Sequence, residues 1–459
     1  MKQTKFGFKL FTALFLLLCL IPGVGLILKG EPEAAGNEHL SPKPCLVYAD
    51  GALNKTYLNE FSSYFADNFA YRHELITLNS TLLDSVFGVS GNNTVLSGRD
   101  GWLFYTDTVK DYTGSGVLSD GQIRSVVRTL ELMQEYCSER GARLLFTVAP
   151  NKASLYPQYM PGRYPLRSGE NNAELLAAAL RESDIPYADL FAAFRNTGET
   201  LYYETDSHWN GKGAALAADT LLRVLGMPEK AVYYGGAFED GEAHYGDLYR
   251  MLYPAGSYSE NTLAYAKGFA FSYDAMFRSA DDISIYTENS AESGKLLMFR
   301  DSFGASLHSY MADCYGSAVF SRLMPYDLNL VDREQPDTVV LELVERNIGW
   351  LSTRAPVFAA PQRNIRLPDA EKNPEASVIC LDSESMVGYA EIRGNIDFTE
   401  IDDGSRIYVA AGGTVYEASP AGEGVNPFTL YVPSESLSEG YIIVAAECGG
   451  TLKGFRIEL

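Results

Sequence analysis

Between residues 119 and 344 the chain alternates short, wholly apolar runs with segments of helical period, and that alternation constrains the fold more than any other feature. A helical stretch over roughly 119–140 leads through Gly141 into Arg143-Leu144-Leu145-Phe146-Thr147-Val148, which Ala149-Pro150-Asn151-Lys152 ends. A helix is expected at about 170–183, then a short strand, Pro186-Tyr187-Ala188-Asp189-Leu190, and an Ala/Leu-rich helix from Gly211 to about Leu225. Lys295–Phe299, Ser317–Phe320 and Thr338–Val344 read as further strands, with Ser302 opening a helix after the first of them. Strands separated by helices favour a mainly parallel sheet covered on both faces, which is α/β architecture. Ligands of such sheets bind beyond the carboxyl ends of the strands. The neighbourhoods of Asn151, His208, Ser302 and Asn347 all follow a strand or its loop, consistent with one shared site.

Outside this core the pattern changes. Between roughly 226 and 290 it weakens and suggests an insertion or lid. After about 370, alternating runs such as Arg406–Ala410 and Gly440–Ala445 separated by Gly/Ser/Asp turns suggest a small antiparallel β-sandwich, a spacer or a carbohydrate-binding unit. At the N-terminus Lys2, Lys5 and Lys9 precede an apolar run from Phe11 to Leu28. Positive residues on that side place it in the cytoplasm, so residues 30–459 are expected outside it. Directly after Leu28 there is no small-x-small cleavage pattern, which favours an uncleaved anchor; a cut near Ala34-Ala35-Gly36 is the alternative. The expected organisation is a signal anchor or signal peptide at 1–29, a tether at 30–54, an α/β domain at 55–365 and the β-sandwich at 370–459.

A net charge of −22 argues against nucleic acid as a partner. Neither C-x-x-C nor a His-rich spacing points to zinc, and nothing calls for a cofactor. Cys380 and Cys448 could pair within the β-rich segment, free buried thiols being the competing reading. The N-x-S/T triplets at Asn54, Asn79 and Asn92 are treated as chance matches.

Five histidines occur in the chain, and one follows an aspartate by two residues in Thr205-Asp206-Ser207-His208-Trp209-Asn210. A serine hydroxyl is a poor nucleophile near neutral pH and needs a base whose tautomer an anion fixes. Ser302, His208 and Asp206 supply those three groups. At a strand-to-helix turn, Ser302 gains backbone N–H groups and the helix dipole for an oxyanion, and Gly304 suits a close approach there. The competing reading of Ser302 is a helix N-cap. Asp301 reads as a local hydrogen-bonding residue. His308, six residues along the same helix, points to another face and is rejected as the base. Trp209 either walls the imidazole or fills core.

Five segments occur in a fixed order: Gly98-Arg99-Asp100-Gly101-Trp102-Leu103-Phe104, Ala149-Pro150-Asn151-Lys152 with Tyr156-Pro157, Asp206-Ser207-His208-Trp209, Gly246-Asp247-Leu248 and Arg300-Asp301-Ser302-Phe303-Gly304. Together, over roughly residues 55–350, they resemble the DHHW and AlgX/AlgJ-like proteins, the alginate O-acetyltransferase-related branch of the SGNH hydrolases. The resemblance implies a permuted SGNH-hydrolase-like fold with Ser302 as nucleophile, His208 as general base and Asp206 as orienting acid. Ser207 stands where the family name has a second histidine. The Ser302 amide is the one oxyanion donor assigned. Arg300, Asn151 and Asn347 are candidates for polar contacts at the site, and Lys152 and Asp247 for touching substrate or holding loops. The implied activity is transfer of acetyl groups to hydroxyls of a cell-surface or secreted polysaccharide through an acetyl-serine. The implied donor partner is a membrane-bound acyltransferase of MBOAT type. A carbohydrate acetylesterase with the same triad and a non-catalytic, membrane-tethered glycan-binding protein are the alternatives.

Overall fold

The computed structural model describes residues 2–459 except 33, 35–37, 369, 373–375, 397–404 and 449. Its centre is a seven-stranded sheet in the order Tyr187–Ala188, Arg143–Ala149, Thr338–Val344, Lys295–Phe299, Ser317–Ser321, Ser284–Glu288, Ser272–Tyr273. The first five strands are parallel, and the last two are added at one edge by antiparallel pairing, Ser284–Glu288 with Ser317–Ser321 and Ser272–Tyr273 with Ser284–Glu288. The apolar runs are strands because both faces are covered. Leu145, Met298 and Val340 point to the side packed by helices Gly211–Val224 and Gly304–Ala312. Leu144, Phe146, Leu297 and Leu341 alternate to the other side, against helices Asp120–Glu139 and Asn172–Arg181. The Asp120 helix starts where a capping box stands, with Ser119 accepting from the Gln122 amide and Gln122 returning a bond to the Ser119 amide.

Two expectations need correction. The segment near 186–190 is a two-residue strand followed at once by helix Leu190–Arg195, because the Asp189 side chain caps the Ala192 amide. The stretch 226–290, expected as an insertion or lid, belongs in part to the core. It contains the hairpin Phe238–His244/Glu260–Tyr265 and helix Asp247–Leu252, and then supplies the two antiparallel strands that extend the central sheet.

Toward the C-terminus, a three-stranded antiparallel sheet (Ala376–Asp382, Tyr389–Ile396, Pro427–Pro433) faces a five-stranded one across a shared apolar core that includes Ile392, Leu430, Val409 and Val444. Buried Glu417 ties this part to the rest, accepting from Arg128 on the Asp120 helix and from Arg363. Cys380 is a free thiol, as are the buried Cys137 and Cys314; the Cys448 side chain lies outside the described residues. The N-terminal segment is a helix, Lys2–Lys29, of which Phe8–Lys29 is long and apolar enough to cross a membrane. A signal sequence has the same property.

Candidate active site

Asp206 and His208 sit on a loop closed at its base by the Tyr202–Trp209 bridge. Three carbonyls of this loop, those of Tyr203, Glu204 and Asp206, accept from the buried Lys152 ammonium at 3.1, 2.9 and 2.6 Å. Glu260 accepts from the Glu204 and Thr205 amides on the other side. Gly246 lets the next helix start against the Thr205 carbonyl, where a Cβ would collide.

The Asp206 carboxylate accepts four hydrogen bonds. Oδ1 takes the His208 amide at 2.9 Å and His208 Nδ1 at 2.8 Å; Oδ2 takes His244 Nε2 at 2.8 Å and the Asp247 amide at 2.9 Å. Because Nδ1–H points at the carboxylate, Nε2 is left as an acceptor, and Ser302 Oγ lies 2.9 Å from it. Ser302 follows strand Lys295–Phe299. Its turn is set by Asp301, whose carboxylate accepts from the Phe303 and Val344 amides. Gly304 is required because a Cβ there would run into the Arg300 side chain. Among the described residues the Ser302 amide finds no protein acceptor, so it is free to donate to an oxyanion.

Burial raises the Asp206 carboxyl pKa, but hydrogen bonds from His208 and His244 outweigh it and hold the group well below the ordinary carboxylate range. Burial alone would lower the His208 pKa; the Asp206 hydrogen bond and charge, with Asp247 adding, reverse the sign and raise it. Asp247 is raised by burial and then by the Asp206 charge. The base must be neutral to accept the Ser302 proton, and activity should therefore fall as pH drops through this raised pKa. The acid limb of kcat/KM is expected above the ordinary histidine value of about 6.5. In Asp206→Asn the carboxylate that raises the imidazole is gone. The limb should move to lower pH while the plateau drops about ten-thousand-fold, a pair of changes that a pH–rate profile reads together.

The triad opens into a cavity of about 600 Å³ lined by Tyr105, Asp247, Arg346, Asn347 and Trp350, among others. Residues 95–262 match the family described as "SGNH hydrolase-like domain, acetyltransferase AlgX". That stretch is thus similar to an AlgX-type SGNH hydrolase-like domain. Asp206, His208, His244 and Asp247 fall inside the matched residues, and Ser302 lies beyond them. A relative from Pseudomonas aeruginosa PAO1, "Probable alginate O-acetylase AlgJ", is 28% identical over 210 residues, covering 44% of this chain and 51% of the relative. The chain thus spans about half the length of the curated relatives it matches. Among solved structures, Bacillus cereus PatB1 with a sulfonyl adduct aligns at TM-score 0.44 and 14% identity, over 55% of this chain and 95% of that one. A DHHW family protein from Eubacterium siraeum aligns at TM-score 0.41 and 17% identity, over 56% and 95%.

The other sequence-derived candidates around this site separate into those at the cavity and those buried behind it. Asp247 and Asn347 line the cavity. Asp247 also holds the loop, accepting from the Ser207 amide at 2.8 Å and the Ser207 hydroxyl at 2.6 Å. Lys152 is buried under the loop and is not among the residues that line this cavity. Arg300 also borders the cavity, and its buried guanidinium donates to the Ala280, Asp282 and Asp301 carbonyls, which braces the turn. Asn151 is likewise buried, donating its amide to Glu345 and its side chain to Asp111. Trp209 is core: its indole donates to Ser306 and its ring meets Phe303 edge-on, while Phe303 is what packs on the imidazole at 4.8 Å.

Three contributors escaped sequence reasoning. His244 comes from a short polar strand with no motif, and stacks on Tyr203 at 3.9 Å while donating to Asp206. Arg346 places its guanidinium over Tyr105 and Phe303 at the cavity wall; its adjacency to Asn347 was the one available signal. Glu342, fully buried in its strand, accepts the Asp301 amide and is pushed well above its ordinary pKa by burial and by the Asp301 charge.

Proposed function

We propose that the chain is an extracytoplasmic O-acetyltransferase that moves acetyl groups to hydroxyls of a cell-surface or secreted polysaccharide. The observation that carries this reading is the continuous relay from Asp206 through His208 to Ser302, with hydrogen bonds of 2.8 and 2.9 Å. His208 Nε2 takes the Ser302 proton as Oγ attacks the acetyl carbonyl. The oxyanion lies against the Ser302 amide, and the donor alcohol leaves with the proton from His208. A sugar hydroxyl then gives its proton to His208, attacks the acetyl-serine and returns Ser302 to its free form. Asp206 stays ionised throughout and stabilises the imidazolium.

Transfer is favoured over hydrolysis by location. Outside the cytoplasm acetyl-CoA is absent, so an acetyl donor relayed by a multispanning MBOAT-type acyltransferase is the natural source, and an uncleaved Phe8–Lys29 helix keeps the chain beside it. In this reading residues 1–29 are the anchor, 30–54 the tether, 55–365 the acyltransferase domain and 370–459 a β-sandwich that holds the glycan. The test is turnover of an acetyl-ester donor by the full chain with and without oligosaccharide acceptors. Acceptor-dependent turnover with acetyl recovered on the sugar is expected. Hydrolysis indifferent to every acceptor would make the protein an acetylesterase.

A further inference from the structure

Helix Arg72–Phe87 is built inside out. The face turned to the body of the protein is polar: Thr77 Oγ accepts the Ala255 amide at 2.9 Å, Ser80 is fully buried beside Gly91, and Asp84 accepts from the Tyr253 hydroxyl at 3.4 Å. On the opposite face Leu75, Leu78, Leu82 and Val86 follow one another at i, i+3, i+7 and i+11, with 45, 55, 53 and 65% of their surface exposed. The preceding helix, Tyr57–Asn68, also exposes two large apolar side chains, Leu58 and Phe61, here among exposed Asn59, Glu60, Ser62 and Ser63. A helix that folds against water presents the reverse pattern.

The corner between these helices rests on the N-terminal apolar helix. The Ala70 amide donates to the Pro22 carbonyl at 3.3 Å, and Gly25 lets the two backbones approach where a Cβ would strike Ala70. The Lys29 ammonium lies 4.1 Å from the centre of the Tyr71 ring. Gly25 precedes Lys29 by four residues, about 6 Å of helix, so the corner meets the apolar helix just inside its outer end. Lysine and tyrosine are the side chains that straddle a membrane–water boundary.

We infer that the helix pair 57–87 is a membrane-seated platform, its leucine face lying in the interfacial zone of the bilayer that the N-terminal helix spans. This rests on the anchor reading of residues 8–29. The occupant is lipid because the exposed apolar row Leu75, Leu78, Leu82 and Val86 continues from the lipid-facing helix, with Asn79 an exposed polar side chain at its edge. With no basic fringe on that face and a net charge of −22, attachment is apolar and independent of anionic lipid. The platform also sets the height of the active site. Its polar face packs on Tyr253 and Ala255, directly after the helix Asp247–Leu252 that carries Asp247 to the triad.

The test uses the full chain in phosphatidylcholine proteoliposomes, with benzoyl-phenylalanine placed singly at Leu78, Leu82 and Val86, at Phe15 inside the apolar helix, and at exposed Val387. Turnover of an acetyl ester, or an unchanged melting transition, reports that each variant is folded. Lipid adducts at Leu78, Leu82 and Val86 comparable to those at Phe15, absent at Val387 and unchanged by high salt, are expected. Adducts at Phe15 with none at the three platform positions would overturn the platform and leave the anchor standing. Protein–protein adducts at those positions would overturn it in favour of a second copy as occupant, and no adduct at Phe15 would remove the anchor and the platform together.

Discussion

Ser302→Ala is expected to lose acetyl transfer by about ten-thousand-fold or more while remaining as stable as the parent chain. The hydroxyl makes one described contact, to His208 Nε2 at 2.9 Å, and the side chain is only half-buried. Its removal therefore takes away the bond-forming atom without opening a core cavity or orphaning a buried donor. The Asp301 bonds that shape the turn involve main-chain amides of Phe303 and Val344 and survive the substitution. An alanine variant that keeps full polysaccharide acetylation in cells would instead support a protein that binds glycan and leaves the chemistry to a partner.

The second large effect is expected from Lys152→Met, a substitution at a residue that is not among those lining the cavity. Burial lowers the Lys152 pKa to about 8, even with Asp206, Asp247, Glu260 and Glu204 nearby to raise it. The ammonium is retained in the interior because it satisfies three loop carbonyls at once. Methionine fills similar space and removes the buried charge, but leaves those carbonyls unpaired. Each unpaired buried acceptor costs about 1–3 kcal/mol, so a net loss near 3 kcal/mol is expected after relief of the desolvated charge. The loop carrying Asp206 and His208 relaxes toward solvent to find new partners. A shift of about 1 Å in the imidazole is enough to cost about a hundredfold in kcat. Thermal unfolding and kcat should therefore fall together. In Asn347→Ala, at the cavity wall, any loss should appear in kinetics with the melting transition unmoved.

Much of this was legible from residues alone, for identifiable reasons. Arg143–Ala149, Lys295–Phe299 and Thr338–Val344 announce themselves because a strand buried on both faces has no polar alternation to blur it, and Gly141 and Pro150 punctuate the first of them. Strands Ser284–Glu288 and Ser272–Tyr273 were not legible: they are short, partly polar edge strands whose existence depends on pairing with Ser317–Ser321 and with each other. The triad could be assembled because two of its members share one loop and the third follows a clear strand. His244 could not, since a histidine in an exposed polar hairpin carries no signal until the hairpin folds over Asp206. Arg300 shows what its position before the nucleophile does not tell: it borders the cavity, but its guanidinium is held by the Ala280 and Asp282 carbonyls, which come from a segment distant in sequence.

The central claim, that Ser302 carries the acyl group, is tested most directly by the mass of the peptide containing Ser302 after brief exposure of the full chain to an acetyl-ester donor and acid quench. An added acetyl on Ser302, discharged when an oligosaccharide acceptor is supplied and missing in Ser302→Ala, is the predicted result. Steady turnover of the donor with Ser302 unmodified, or with the acetyl group on another side chain, would contradict it.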